Sequence, residues 1–176
     1  NYNSFFLFFL FASIFLNFTT NKKQGMAKIF TILNNKGGTG KTTTAINLAA
    51  ALAKKNYSVL LIDLDSQCNL SVAFACSNNS HHIGTLLMNQ SSYEETVVNV
   101  NKLFIIPSTD KLLDFEYLIN NEPGREYLLK EILEKVHYDY DYILIDCPPS
   151  LGTLSINALV AANYYLVPMQ TENFAF

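Results

Sequence analysis

Between positions 28 and 55 the chain reads as an apolar run, a glycine-rich turn and a helical pattern, in that order. No other feature narrows the possible folds as far. Lys28-Ile29-Phe30-Thr31-Ile32-Leu33 has the pattern of a short buried strand. The turn that follows is Asn35-Lys36-Gly37-Gly38-Thr39-Gly40-Lys41-Thr42-Thr43. A helix is predicted from Thr42 to about Lys55, with Ile46, Ala49, Ala50 and Ala53 on its inner face and Asn56 as its stop. Glycines let backbone N–H groups turn inward and come close to phosphate oxygens. A helix starting near Lys41 adds the positive end of its dipole. Lys41 is then placed to reach β- and γ-phosphates, and the Thr42 hydroxyl to bind Mg2+. The strict phosphate-loop pattern wants Gly at position 35, where this chain has Asn35; an extra cation, Lys36, follows it.

Downstream, strands and helices alternate. Ser58-Val59-Leu60-Leu61-Ile62-Asp63 is a second strand, and its almost continuous apolar run fits a strand covered on both faces. Residues 66–101 are polar and less periodic, with Asn78-Asn79-Ser80 expected in a loop. Strands are predicted at Leu103–Pro107, Tyr142–Asp146 and Tyr164–Pro168. Helices are predicted at Lys111–Asn120, from Pro123 onward with Leu128, Leu129, Ile132, Leu133 and Val136 facing inward, and at Thr153–Asn163. This order predicts an α/β fold with a parallel sheet flanked by helices.

Composition excludes several other classes. Of the 176 residues 49% are hydrophobic and 15% charged, so the chain can bury a core. The net charge of −3 argues against a chain that is basic throughout. Cys68, Cys76 and Cys147 form no CxxC pair, so neither a disulfide framework nor a zinc module is indicated; packing is the expected role of all three. His81-His82 is expected as an exposed pair in a loop, without the further ligands a metal would need. Phe5 to Leu16 is an apolar run, short for a membrane span. It also lacks the preceding basic residues of a signal peptide. Residues 1–25 are therefore expected to be an extension outside the native domain, with Met26 as the start and a signal or anchor as the other reading.

Lys36-Gly37-Gly38-Thr39-Gly40-Lys41-Thr42 resembles the deviant Walker A motif of the ParA/MinD ATPase superfamily. Leu61-Ile62-Asp63-Leu64-Asp65-Ser66-Gln67 resembles its second acidic motif, and Asp141-Tyr142-Ile143-Leu144-Ile145-Asp146-Cys147-Pro148-Pro149-Ser150 its Walker B segment. Asn157–Ala162 and Val167–Glu172 continue in the style of ParA/Soj partition proteins, so the likeness covers residues 27–176. It departs at Ser66 and Cys68, where the family usually has Pro and Gly.

The resemblance implies a P-loop NTPase fold and an ATP-hydrolysing partition protein with ATP and Mg2+ as its cofactors. It implies nucleotide contacts from Lys36, Gly37, Gly38, Thr39, Gly40, Lys41, Thr42 and Thr43. Lys36 would be the signature lysine that reaches a partner's phosphates across a homodimer, and Lys41 the loop lysine. Asp65 would position the attacking water. Thr42, Asp63 and Asp146 would serve the metal, with Asp63 supporting either magnesium or switch contacts. The implied partners are a second copy, a ParB-like centromere-binding protein and nonspecific DNA, in a cytoplasmic, nucleoid-associated setting with no stable membrane partner. Residues 26–176 would form the N-terminal part of such a domain, with adenine contacts and a basic DNA patch beyond Phe176. Other readings are a MinD-like membrane-associated regulator, a metabolic ligase relative and a non-functional fragment.

Overall fold

The structure is a computed structural model that describes residues 25–100 and 102–170. The apolar segment before Gly25, and Thr171 and Glu172 of the last motif, lie outside these residues. Six strands form one sheet in the order β3-β4-β2-β5-β1-β6. They are β1 (Lys28–Ile32), β2 (Val59–Asp63), β3 (Val98–Val100), β4 (Leu103–Ile106), β5 (Tyr142–Asp146) and β6 (Tyr164–Leu166). All neighbours run parallel except β3, which pairs antiparallel with β4. The sequence pattern left β3 unassigned: three residues with half-buried and exposed side chains carry no apolar run. Lys102, at φ 71, takes the left-handed conformation between β3 and β4.

Seven helices surround the sheet among the described residues: α1 (Lys41–Lys54), α2 (Asn69–Ala73), α3 (Ile83–Leu87), α4 (Tyr93–Thr96), α5 (Leu112–Ile119), α6 (Leu128–Val136) and α7 (Thr153–Ala161). The side-chain alternation of β2 separates two cores. Val59 and Leu61 pack with Phe30, Ile32, Leu144 and α1's Ala45, Ala49 and Leu52. Leu60 and Ile62 pack with Ile29, Ile143, Ile145 and residues of α3, α5, α6 and α7. Continuous apolar strands therefore reflect a sheet buried on both faces.

Three local expectations need correction. The inner face of α1 is Lys41, Thr44, Ala45, Ala49 and Leu52. Of the expected stripe, Ala49 lies on it, while Ile46 and Ala53 pack from its border and Ala50 is half-buried. The register follows from Lys41, whose burial at the first turn brings positions 45, 49 and 52 inward after it. The helix expected from Pro123 begins at Leu128 instead. Gly124, at φ 69, adopts a left-handed turn that helical geometry excludes. Finally, the segment between Asp65 and β3 holds α2, α3 and α4, each only four or five residues long.

Asn56 does stop α1. It sits at φ 64, and the N–H groups of Asn56 and Tyr57 donate to the carbonyls of Ala53 and Leu52 at 2.9 and 3.2 Å. Both bonds satisfy carbonyls that the helix end would otherwise leave open. Among the described residues no helix is long and apolar enough to cross a membrane.

Candidate functional site

Parallel register brings the candidate residues to one edge of the sheet. Ile32, the last residue of β1, lies beside Asp146, the last of β5. Asp146 in turn lies beside Asp63, the last of β2. Neighbouring strands are about 4.8 Å apart, so the glycine-rich loop leaving β1 starts close to both acids. Sequentially adjacent β1 and β2 are separated by β5. Ligands of open α/β sheets bind at the carboxyl ends of strands where the order switches in this way.

The loop is shaped and tied down by named contacts. Gly38 and Gly40 hold φ of 73 and 86, values open to glycine and strained for other residues. A Cβ added at Gly37, Gly38 or Gly40 would meet no atom within 4 Å among the described residues. Nothing among the described residues therefore crowds the backbone of the loop at these three positions. α1 begins directly after Gly40 with no side-chain cap, which leaves its first N–H groups for an anion. The Lys36 N–H donates to Asn34 Oδ1 at 2.9 Å, and Thr39 Oγ1 donates to the Lys36 carbonyl at 3.3 Å. The segment after β6 reaches over from the next strand: Asn34 Nδ2 donates to the Pro168 carbonyl at 2.7 Å, and Gln170 Nε2 to the Gly38 carbonyl at 2.8 Å.

The two loop lysines differ in setting. Lys41 is only 7% exposed, whereas Lys36 lies on the exposed side of the loop. A buried ammonium needs an anion nearby. Asp146 is close enough for Lys41 to lower its pKa. Thr42 is half-buried at the start of α1 and Thr43 is exposed.

Asp146 is 1% exposed, and neither of its carboxylate oxygens has a hydrogen-bond partner among the described residues. Burial pushes its carboxyl up to about 7; the Thr42 hydroxyl eases that shift from nearby without completing a well-formed hydrogen bond. Asp63 and Asp65 raise it further, and Lys41 lowers it. A buried carboxylate with both oxygens open is an acceptor in want of a cation. A magnesium ion fits this donor set, because Mg2+ takes one or two carboxylates and completes its shell with water and phosphate oxygens. No group of three or more His, Cys, Asp or Glu side chains is arranged to hold a metal among the described residues.

Asp63 is different. Its Oδ1 accepts the Asp65 N–H at 3.1 Å, and its Oδ2 accepts the Ser71 N–H at 2.9 Å and the Ser71 hydroxyl at 2.6 Å. Burial raises its carboxyl above the usual carboxylate range, and these donors oppose the rise. Both oxygens are thus occupied by the chain, so Asp63 is engaged in shaping the loop after β2. Asp65 is 8% exposed, and its Oδ1 accepts the Gln67 N–H at 3.0 Å.

The remaining candidates resolve simply. Cys68, Cys76 and Cys147 are free and buried. His82 is buried rather than exposed: it caps α3, accepting the Thr85 N–H at Nδ1, and packs edge-on against Phe115. Its neighbour His81 is half-buried. A histidine in a polar stretch gives no warning of a capping role when the helix it starts has five residues. Asn34, Ser71, Ser108 and Gln170 also escape sequence reading, because each acts through one hydrogen bond or a few from an otherwise ordinary position.

Comparison with known proteins agrees with this fold. An AAA domain family matches residues 27–176. The chromosome partitioning protein ParA of Myxococcus xanthus is 41% identical over 154 residues, covering 85% of this chain and 54% of that protein. The sporulation initiation inhibitor protein Soj of Bacillus subtilis is 40% identical over 154 residues, covering 85% of this chain and 61% of its own length. The chain thus spans roughly half to three-fifths of these relatives. Among solved structures, a putative plasmid partition protein from Borrelia burgdorferi bound to AMPPNP superposes with a TM-score of 0.78 at 37% identity, covering 86% of this chain and 66% of that one. A cobyrinic acid a,c-diamide synthase from Mycobacterium smegmatis, with bound ATP analog and magnesium, gives 0.81 at 34% identity, covering 85% and 63%.

Proposed function

The chain belongs to the AAA domain family, in its ParA/Soj partition branch, and on that footing we propose that it binds ATP with Mg2+ and hydrolyses it in the segregation of plasmid or chromosome DNA. One observation carries the reading: a buried carboxylate, Asp146, whose oxygens have no hydrogen-bond partner among the described residues, stands beside an open glycine loop that ends in a buried lysine, Lys41.

The backbone N–H groups of residues 36–43 and the start of α1 cradle the phosphates. Lys41 supplies a cation to the β- and γ-phosphates. Thr42 and Asp146 would hold magnesium, which when bound would neutralise charge on the phosphates. Asp65 orients the attacking water toward the γ-phosphate, and Asp63 supports the loop that carries Asp65. Lys36, exposed on the loop, reaches the phosphates of a second copy and stabilises charge developing during transfer, as an arginine finger does. The protein acts as an ATP-dependent homodimer on nonspecific DNA, in the cytoplasm at the nucleoid, until a ParB-like partner stimulates hydrolysis. The AMPPNP-bound partition protein, the Myxococcus xanthus chromosome partitioning protein and the Bacillus subtilis Soj relative support this reading.

A ligase reading has the likeness to the diamide synthase in its favour. The partition relatives match the sequence more closely, at about 40% identity. Purified protein assayed for phosphate release with Mg2+, DNA and the centromere-binding partner tests the proposal. Slow hydrolysis that rises with partner and DNA is expected. Absence of hydrolysis under every combination would sink it, and ATP turnover that requires a carboxylic acid and an amide donor would favour the ligase.

A further inference from the structure

Ser71 is fully buried in α2, and the proposed catalytic apparatus gives it no task. Its surroundings do. The N–H and the hydroxyl of Ser71 both donate to one oxygen of Asp63, at 2.9 and 2.6 Å. The Ser71 hydroxyl oxygen accepts the Ser108 N–H at 2.8 Å. The other Asp63 oxygen accepts the Asp65 N–H at 3.1 Å. One hydroxyl therefore joins the ends of β2 and β4 through a carboxylate that also grips the backbone of Asp65.

This arrangement answers a defect in α2. The helix is five residues long, and Cys68 at its N-cap makes no side-chain capping bond. Orphan N–H groups in a first turn need an acceptor, and a carboxylate suits the positive helix end. Asp63 supplies it from the neighbouring strand, at the Ser71 N–H. Loop and helix are thus fixed to one buried carboxylate whose own geometry depends on the Ser71 hydroxyl.

We propose that Ser71 is a positioning residue for ATP hydrolysis: acting through Asp63, it fixes the backbone of Asp65 and so the place where the attacking water is held. The inference rests on the ATPase reading above. A residue that merely stabilises the fold would change thermal stability and leave the turnover of folded protein intact. A positioning residue lowers kcat while nucleotide affinity persists.

The test compares wild type with S71A and S71T in Mg2+-dependent ATP hydrolysis. S71A is expected to lower kcat about 10- to 100-fold, the scale of a small misplacement of a reacting group, with KM for ATP changed less than about 3-fold. S71T retains the hydroxyl and is expected to recover most of the loss. Hydrogen exchange gives an independent readout: the Asp65 and Ser108 amides exchange faster together in S71A and stay protected in S71T. Should S71A not yield folded protein, S71C, close in size but a poor donor, is read in its place. Folded S71A or S71C with wild-type kcat overturns the inference, as does a rise in KM alone or unchanged exchange at both amides. Wild type without hydrolysis overturns the ATPase reading and this inference together; active wild type beside fully active S71A removes only the inference.

Discussion

Cys68 sits at φ 54, in the left-handed region, with its side chain buried. The ParA-like pattern usually has glycine at this position, and the backbone explains why: a side chain there costs about 1–2 kcal/mol. Cavity size alone would rank Cys68→Ala above Cys68→Gly in stability. Backbone strain reverses that order, so the glycine variant should be more stable than the alanine variant by about 1 kcal/mol in urea unfolding. The opposite order would show that the turn relaxes. Asp146 offers a second test. Its carboxyl is raised from 3.8 to about 7 by burial. The stability that its neutral form allows is fully present below about 3.8, and is lost as pH rises through about 7. Asp146→Asn removes that loss. In chelator and without nucleotide, its stabilising effect should be larger at pH 8 than at pH 5 by on the order of 2 kcal/mol. The same variant should lose the thermal shift that Mg2+ and ATP together give wild type. An effect independent of pH would mean that the carboxyl titrates normally.

At the scale of elements, legibility follows burial. β5 is readable to the residue because Tyr142 to Asp146 is a buried run closed by Cys147-Pro148-Pro149. The acidic residues at the ends of β2 and β5 are readable because a charge at the end of an apolar strand stands out. α2, α3 and α4 are not, because helices of four or five residues show barely one turn of periodicity. The site divides the same way: the glycine loop, Lys41 and Thr42 are legible from the residues, the roles of Lys36 and the acids from the family resemblance, and the side chains that hold them only from three dimensions. Asn34 and Gln170 make that difference measurable. They tie the phosphate loop to the chain after β6: Asn34 accepts the Lys36 N–H of the loop at Oδ1 and donates to the Pro168 carbonyl from Nδ2, and Gln170 donates to the Gly38 carbonyl. Asn34→Ala frees the Lys36 amide and the Pro168 carbonyl, and should weaken ATP binding about 5- to 10-fold, the value of one or two hydrogen bonds. Gln170→Ala, at an exposed side chain with one bond, should cost less. Equal ATP affinity in wild type and Asn34→Ala, read by calorimetry, would mean that the loop holds its shape without the tie.

For the whole molecule the question is how two lysines five residues apart divide their work. Lys41 is buried at the first turn of α1 near Asp146, and in the proposed function its charge serves a phosphate bound to its own chain. Lys36 is exposed on the loop, and in the proposed function its charge meets the phosphates of a second copy. Removing each should therefore break a different step. Lys41→Ala should raise the Kd for ATP about 100-fold or more, since charge-assisted hydrogen bonds to phosphate are lost. It should also abolish any nucleotide-dependent dimer. Lys36→Ala should keep ATP affinity within about 3-fold of wild type, because on the proposed reading its side chain serves the partner's nucleotide and its backbone N–H is kept. It should nevertheless stay monomeric with a non-hydrolysable ATP analogue and Mg2+, and lose hydrolysis. Sedimentation in the presence and absence of the analogue separates the two. A Lys36→Ala protein that dimerises as wild type does, or that loses ATP as Lys41→Ala does, would place Lys36 in its own chain's site and remove the case for a phosphate contact across the dimer.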